Sequence, residues 1–120
     1  MSYLTYKLLH VVGVLALFLS LGGLIASRLA PSMASAGVAR VFRMIHGIAL
    51  LLVAVAGFGL MARLGLFAIW PTWIWVKVLV WVALGGGVAL LRGSEKSARI
   101  LLVVFVVLGG VAVWAALVKF

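Results

Sequence analysis

Four unbroken apolar runs constrain this chain more than anything else in it. They extend from about Leu4 to Ser27, Val41 to Ala62, Trp73 to Leu91 and Ala98 to Leu117. A hydrocarbon layer of ~30 Å needs about 20 helical residues to cross it, and each run is long enough. Strands of a membrane barrel would alternate apolar and polar residues, and these runs do not. Short connections follow, marked by Pro31 with serines and Gly37, by Gly65 to Pro71, and by Gly93-Ser94-Glu95-Lys96-Ser97. Antiparallel neighbours joined by short loops predict an all-α, integral membrane, up-down four-helix transmembrane bundle occupying residues 1–120 as a single domain. Composition agrees: 68% of residues are apolar and 9% charged, with a mean hydropathy of +1.45. A soluble globule of this size needs far more polar surface. A soluble enzyme, a disordered chain and a soluble nucleic-acid module are thereby excluded together.

The net charge of +9 comes from ten Lys/Arg against one acid, Glu95. The bases sit at the edges of the apolar runs and form no dense stripe. They read as anchors to the headgroups of a lipid bilayer, and nucleic acid is not an expected partner. Arg28, Arg40, Arg43, Arg92, Lys96 and Arg99 fall in or beside the first and third connections, while Lys7, Arg63, Lys77 and Lys119 fall on the other side. The positive-inside rule then places segments 28–43 and 92–99 in the cytoplasm and both termini outside the cell membrane. Phe67, Trp70, Trp73 and Trp75 gather at the outer connection as an aromatic belt, a more economical reading than a ligand cage. The first run follows Lys7 and precedes a small-residue Ala34-Ser35-Ala36 site. It is nonetheless longer than a signal-peptide core and ends in Arg28 before that site, so a retained helix is expected. The absence of cysteine removes disulfides, thiol redox chemistry and iron–sulfur clusters.

Glycines recur within the spans, at Gly22-Gly23, Gly57, Gly59, Gly85-Gly86-Gly87 and Gly109-Gly110. They allow helix backbones to approach closely where lipid supplies no hydrophobic drive. The same property can clear room for a flat cofactor, and spacing does not separate the two. A four-helix bundle buries only part of such faces, so a homo-oligomer or a partner in a larger membrane complex is expected. A Leu-Gly-Gly pattern in the first, third and fourth runs hints at a two-helix duplication.

Few polar groups remain inside the spans: Lys7, His10, Ser20, His46 and Lys77. Ionisable groups in hydrocarbon are costly and point to a function with a partner. Lysines near an interface can instead snorkel, which accounts for Lys7 and competes equally with a site role at Lys77. Histidine is too short to snorkel. His10 approaches from the outer side and His46 from the inner side, which puts them about 14 Å apart in depth. One haem held by both is geometrically poor. Lys77 matches His10 in depth, and a lysine amine can ligate iron in its neutral form, which a desolvated site favours. Imidazole is the ordinary haem ligand. The competing account is that each histidine simply hydrogen-bonds a backbone carbonyl or hydroxyl across the bundle. Met44 and His46 share a helix turn, but two ligands do not make a copper site. Carboxylate-pair chemistry and hard-cation sites lack the acids they need.

Tyr6-Lys7-Leu8-Leu9-His10, followed by a glycine-containing helix ending in Arg28, resembles the first helix of the HemJ family of small haem-containing membrane proteins assigned as protoporphyrinogen oxidases. Trp73-Ile74-Trp75-Val76-Lys77 resembles that family's third helix, and Val118-Lys119-Phe120 its ending. SirB-type and CopD-type membrane proteins share the same general look. The resemblance implies haem b bound by a first-helix histidine and a third-helix lysine, here His10 as metal ligand and Lys77 beside it. The chain departs from the family pattern at Ser27-Arg28, Leu91-Arg92 and Ser94-Glu95-Lys96, where the family carries Pro-Arg, Tyr-His and an Asn-Glu-x-Pro motif. Those losses bear on oxidase activity more than on haem binding. Two classes of function therefore stand: a haem b protein with an oxidoreductase, electron-transfer or haem-handling role, and a non-enzymatic bundle serving as an accessory subunit, scaffold, channel or transporter.

Overall fold

The structure is a computed structural model and describes residues 2–33, 35–91 and 94–119. Ala34, Arg92, Gly93 and Phe120, which enter the cleavage-site, orientation and family readings above, lie outside the described residues. Four helices are arranged up and down: α1 (Tyr3–Leu29), α2 (Ala36–Arg63), α3 (Thr72–Leu90) and α4 (Glu95–Val118), with a single 3₁₀ turn at Pro31–Met33 between the first two. All four are long and apolar enough to span a membrane. The chain is an integral membrane protein.

The helices start earlier than the apolar runs suggest. Ser35 caps α2 by accepting from the Val38 N–H, and Ser94 caps α4 by accepting from the Ser97 N–H. These hydroxyls satisfy orphan donors of the first turn. Gly37 and the Glu95-Lys96-Ser97 segment are thus helical rather than loop. Glu95 is favoured in a first turn by the helix dipole and holds Arg99 one turn on at 3.0 Å. Within the expected loops 28–43 and 92–99, Arg28 instead belongs to α1, Arg40 and Arg43 to α2, and Lys96 and Arg99 to α4. The end of α2 is set by Gly65, whose φ of +70° is the left-handed conformation glycine adopts freely. Leu66 N–H donates to Met61 O and Gly65 N–H to Ala62 O, the two bonds of a Schellman stop.

Glycine contacts set the α1/α2 register. A Cβ on Gly59 would meet the Tyr6 ring, one on Gly57 the His10 ring, one on Gly13 the Val53 side chain, and one on Gly23 the Phe42 ring. These pairs run antiparallel along nearly the whole of both helices. Here close backbone approach replaces the hydrophobic drive that lipid removes. The main apolar cluster is concentrated in the other half of the bundle. Leu17, Leu21, Leu24 and Ile25 pack there with Leu84, Leu101 and Phe105, the end at which α1 stops and α4 starts. The half holding His10 and Lys77 is outside that cluster.

Candidate functional site

His10 is half-buried, and its Nδ1–H donates to the Val53 carbonyl of α2 at 3.0 Å. Gly57 makes this possible, because a Cβ there would stand 3.3 Å from His10 Cε1. A carbonyl only accepts, so this bond puts a proton on Nδ1, and in the neutral ring the lone pair is then on Nε2. Histidines that ligate metals are commonly oriented in this way by a carbonyl on the other ring nitrogen. Among the described residues, nothing hydrogen-bonds Nε2.

His46 is buried, 6% exposed, and its Nε2–H donates to the Leu84 carbonyl of α3 at 3.2 Å. The two histidines thus face different helix pairs. His46 lies about 10 Å along α2 from Val53, at about 1.5 Å per residue. Ser20 is fully buried and satisfied within its own helix by the Leu17 carbonyl at 2.8 Å.

Lys77 is half-buried and lies within electrostatic reach of His10. Lys7 and Lys119 lie within the same reach of Lys77. The ammonium of Lys77 sits 5.8 Å and that of Lys119 5.6 Å from the centre of the Trp73 ring, while Lys7 lies 5.7 Å over Tyr3. Aromatic faces attract cations at these distances. The aromatic cluster at the connection between α2 and α3 continues from there, with Trp75 against Trp70 at 4.9 Å, and Trp70 and Phe67 each against Phe58. So His10 and Lys77 share one end of the bundle with two further lysines. Lys119 was not expected among the site residues, although its signal is present in the sequence: the first and third spans begin, and the fourth ends, on the same side.

Trp81 is a second residue that sequence reasoning missed. Its indole N–H donates to the Leu50 carbonyl of α2 at 3.0 Å. No pattern announces such a bond, because its acceptor is a main-chain atom. Among the described residues no three His, Asp or Glu side chains gather as a metal site. The fold and the polar groups together define a small four-span helical membrane protein. Searched against family models, curated proteins and solved structures, the chain matches none of them.

Proposed function

We propose that this protein binds haem b in the half of the bundle that holds His10 and Lys77, where His10 Nε2 and the neighbouring Lys77 amine would hold it. The observation that carries the reading is the His10–Val53 bond, which orients the ring and keeps Nε2 available. The donor set fits a haem: an imidazole nitrogen, a second nitrogen within electrostatic reach, and lysines able to face carboxylates of the macrocycle. A haem held there would supply one-electron exchange at iron, so an oxidoreductase, electron-transfer or haem-handling role follows. The experiment is absorption spectroscopy on the purified chain. A Soret band that is lost in His10→Ala, shifted or weakened in Lys77→Ala and kept in His46→Ala supports the site. A band that depends on His46 and not on His10 defeats it.

A second reading is favoured by one observation: both histidines already have main-chain partners, as purely structural histidines would. On that reading the chain is a non-enzymatic bundle, an accessory subunit or an oligomeric channel or transporter, and the purified protein is colourless even when haem is supplied during expression. Both readings share the proposed orientation in the cell membrane, with both termini outside. A C-terminal reporter fusion that is active only in the cytoplasm would reverse that orientation. Both also include a homo-oligomer, supported by Gly22, Gly47, Gly86 and Gly110, where a Cβ would meet nothing within 4 Å.

A further inference from the structure

At the opposite end from His10, a cavity of about 550 Å³ opens between α1, α2 and α3. Few contacts join α2 to α3. The His46–Leu84 and Trp81–Leu50 bonds tie these helices near mid-span, and beyond them the walls are small residues, Gly85 and Ala89 on α3 facing Ala36 and Ala39 on α2. The volume falls within the ~300–1,000 Å³ typical of small-molecule sites.

Two arginines line this cavity, Arg28 from the end of α1 and Arg43 from α2. Arg28 Nε donates to the Leu91 carbonyl, which fixes the guanidinium at the C-terminal end of α3 and leaves its outer N–H groups for another acceptor. The lining serines are already engaged, Ser27 with the Gly23 carbonyl and Ser35 with the Val38 N–H. No acid lines the cavity. The chain's one acid, Glu95, is bound to Arg99. Much of the remaining lining is apolar, with Leu24, Ala39, Gly85 and Val88 beside the arginines, and Gly85 lies about 8 Å from the end of α3. The cavity therefore offers two cations beside an apolar wall.

We propose that it is a binding site for an anionic phospholipid, whose phosphate is held between Arg28 and Arg43 and whose upper acyl chain enters the gap between α2 and α3. A free anion would use the arginines and leave the apolar wall unmatched, whereas a lipid matches both. Paired arginines suit phosphate oxygens because the guanidinium fork binds them through parallel N–H bonds.

The test uses the full chain reconstituted in nanodiscs of phosphatidylcholine with a minor share of phosphatidylglycerol, then extracted in mild detergent, with retained lipid counted by native mass spectrometry. Phosphatidylglycerol is expected to be retained in preference to phosphatidylcholine. Arg28→Gln and Arg43→Gln should each lower that preference about fivefold, the worth of one basic residue against an anionic lipid. Ala89→Trp should also expel the lipid, because it fills the cavity with both arginines in place. Lys96→Gln removes one charge at the same end of the bundle but outside the cavity, and should retain the lipid. If Arg28→Gln fails to fold through loss of its bond to Leu91, Arg43→Gln and Ala89→Trp decide the matter. Equal loss in Lys96→Gln would reduce the effect to general surface charge and overturn the site. Unchanged retention in both Arg43→Gln and Ala89→Trp would overturn it too. Binding of inorganic phosphate alone, with displacement of the lipid by millimolar phosphate, would replace the lipid with a free anion.

Discussion

His46 and Trp81 brace α2 and α3 reciprocally. Each donates to a main-chain carbonyl of the other's helix, His46 to Leu84 at 3.2 Å and Trp81 to Leu50 at 3.0 Å. Both acceptors lie in spanning helices, so each carbonyl is shared with its own helical bond. Little else joins α2 to α3, whereas α1 and α2 pack along their full lengths. His46→Ala and Trp81→Phe should each destabilise the bundle by about 0.6 kcal/mol and at most about 1.7 kcal/mol, the range measured for interhelical bonds in lipid. Unfolding by steric trapping in bicelles measures this. A His46→Ala variant as stable as the parent protein would show that the brace contributes nothing.

Gly57 offers a way to disturb His10 without touching the imidazole itself. In Gly57→Ala the new methyl stands 3.3 Å from Cε1 and 3.4 Å from Nδ1, tighter than ordinary contact, so the ring must shift by a few tenths of an ångström. Gly57→Val should push it further and break the bond to the Val53 carbonyl. If haem is bound through Nε2, the expected result is a graded one, with a shifted Soret band in Gly57→Ala and several-fold weaker retention in Gly57→Val. Identical spectra in all three proteins would separate the haem from His10.

The spans were legible in the sequence because a run of about 20 apolar residues admits few other structures. His10 and Lys77 each follow closely on the start of a span at one side, and the two lie within electrostatic reach of one another. What could not be read was partner choice. Val53, Leu84 and Leu50 accept through main-chain oxygens, which every residue carries, so nothing in their identity marks them. Helix starts at Ala36 and Glu95 were missed for a different reason. The starts of α2 and α4 hold Arg40 or Glu95 and Lys96 beyond the apolar run, and serine caps extend a helix past the hydrocarbon edge. Arg28 and Arg43 carry an orientation signal as basic residues, but only the packing of α1, α2 and α3 brings them to the lining of one cavity.

Open glycines supply a test of self-association. Gly22 and Gly47 are exposed, and a Cβ on either meets no protein atom within 4 Å. Large side chains there should leave the monomer fold intact and block close approach by a second chain. The double variant Gly22→Leu, Gly47→Leu should therefore run as a single chain in native mass spectrometry under gentle detergent, where the parent protein runs as a dimer or larger. A parent protein that is itself monomeric under those conditions removes the oligomer from both functional readings.

Two adjacent glycines in α3 should respond oppositely to the same substitution. Successive residues of an α-helix are turned by about 100°, so neighbours face different surroundings. A Cβ on Gly87 would lie 2.6 Å from two carbons of the Phe105 ring, and Phe105 is only 3% exposed within the main apolar cluster. The ring has little room to withdraw among Leu84, Leu101 and the other side chains of that cluster. Gly87→Ala should therefore force α3 away from α4 and cost about 1–3 kcal/mol, as overpacking of a filled core does. At Gly86 a Cβ meets nothing within 4 Å. Gly86→Ala should be neutral or stabilising by up to about 1 kcal/mol, the helix preference of alanine over glycine. Thermal unfolding of the two single variants in the same detergent measures both. Equal stability of Gly87→Ala and Gly86→Ala would contradict the tight seat of Phe105 on Gly87, and with it the packing of α3 against α4 at that level.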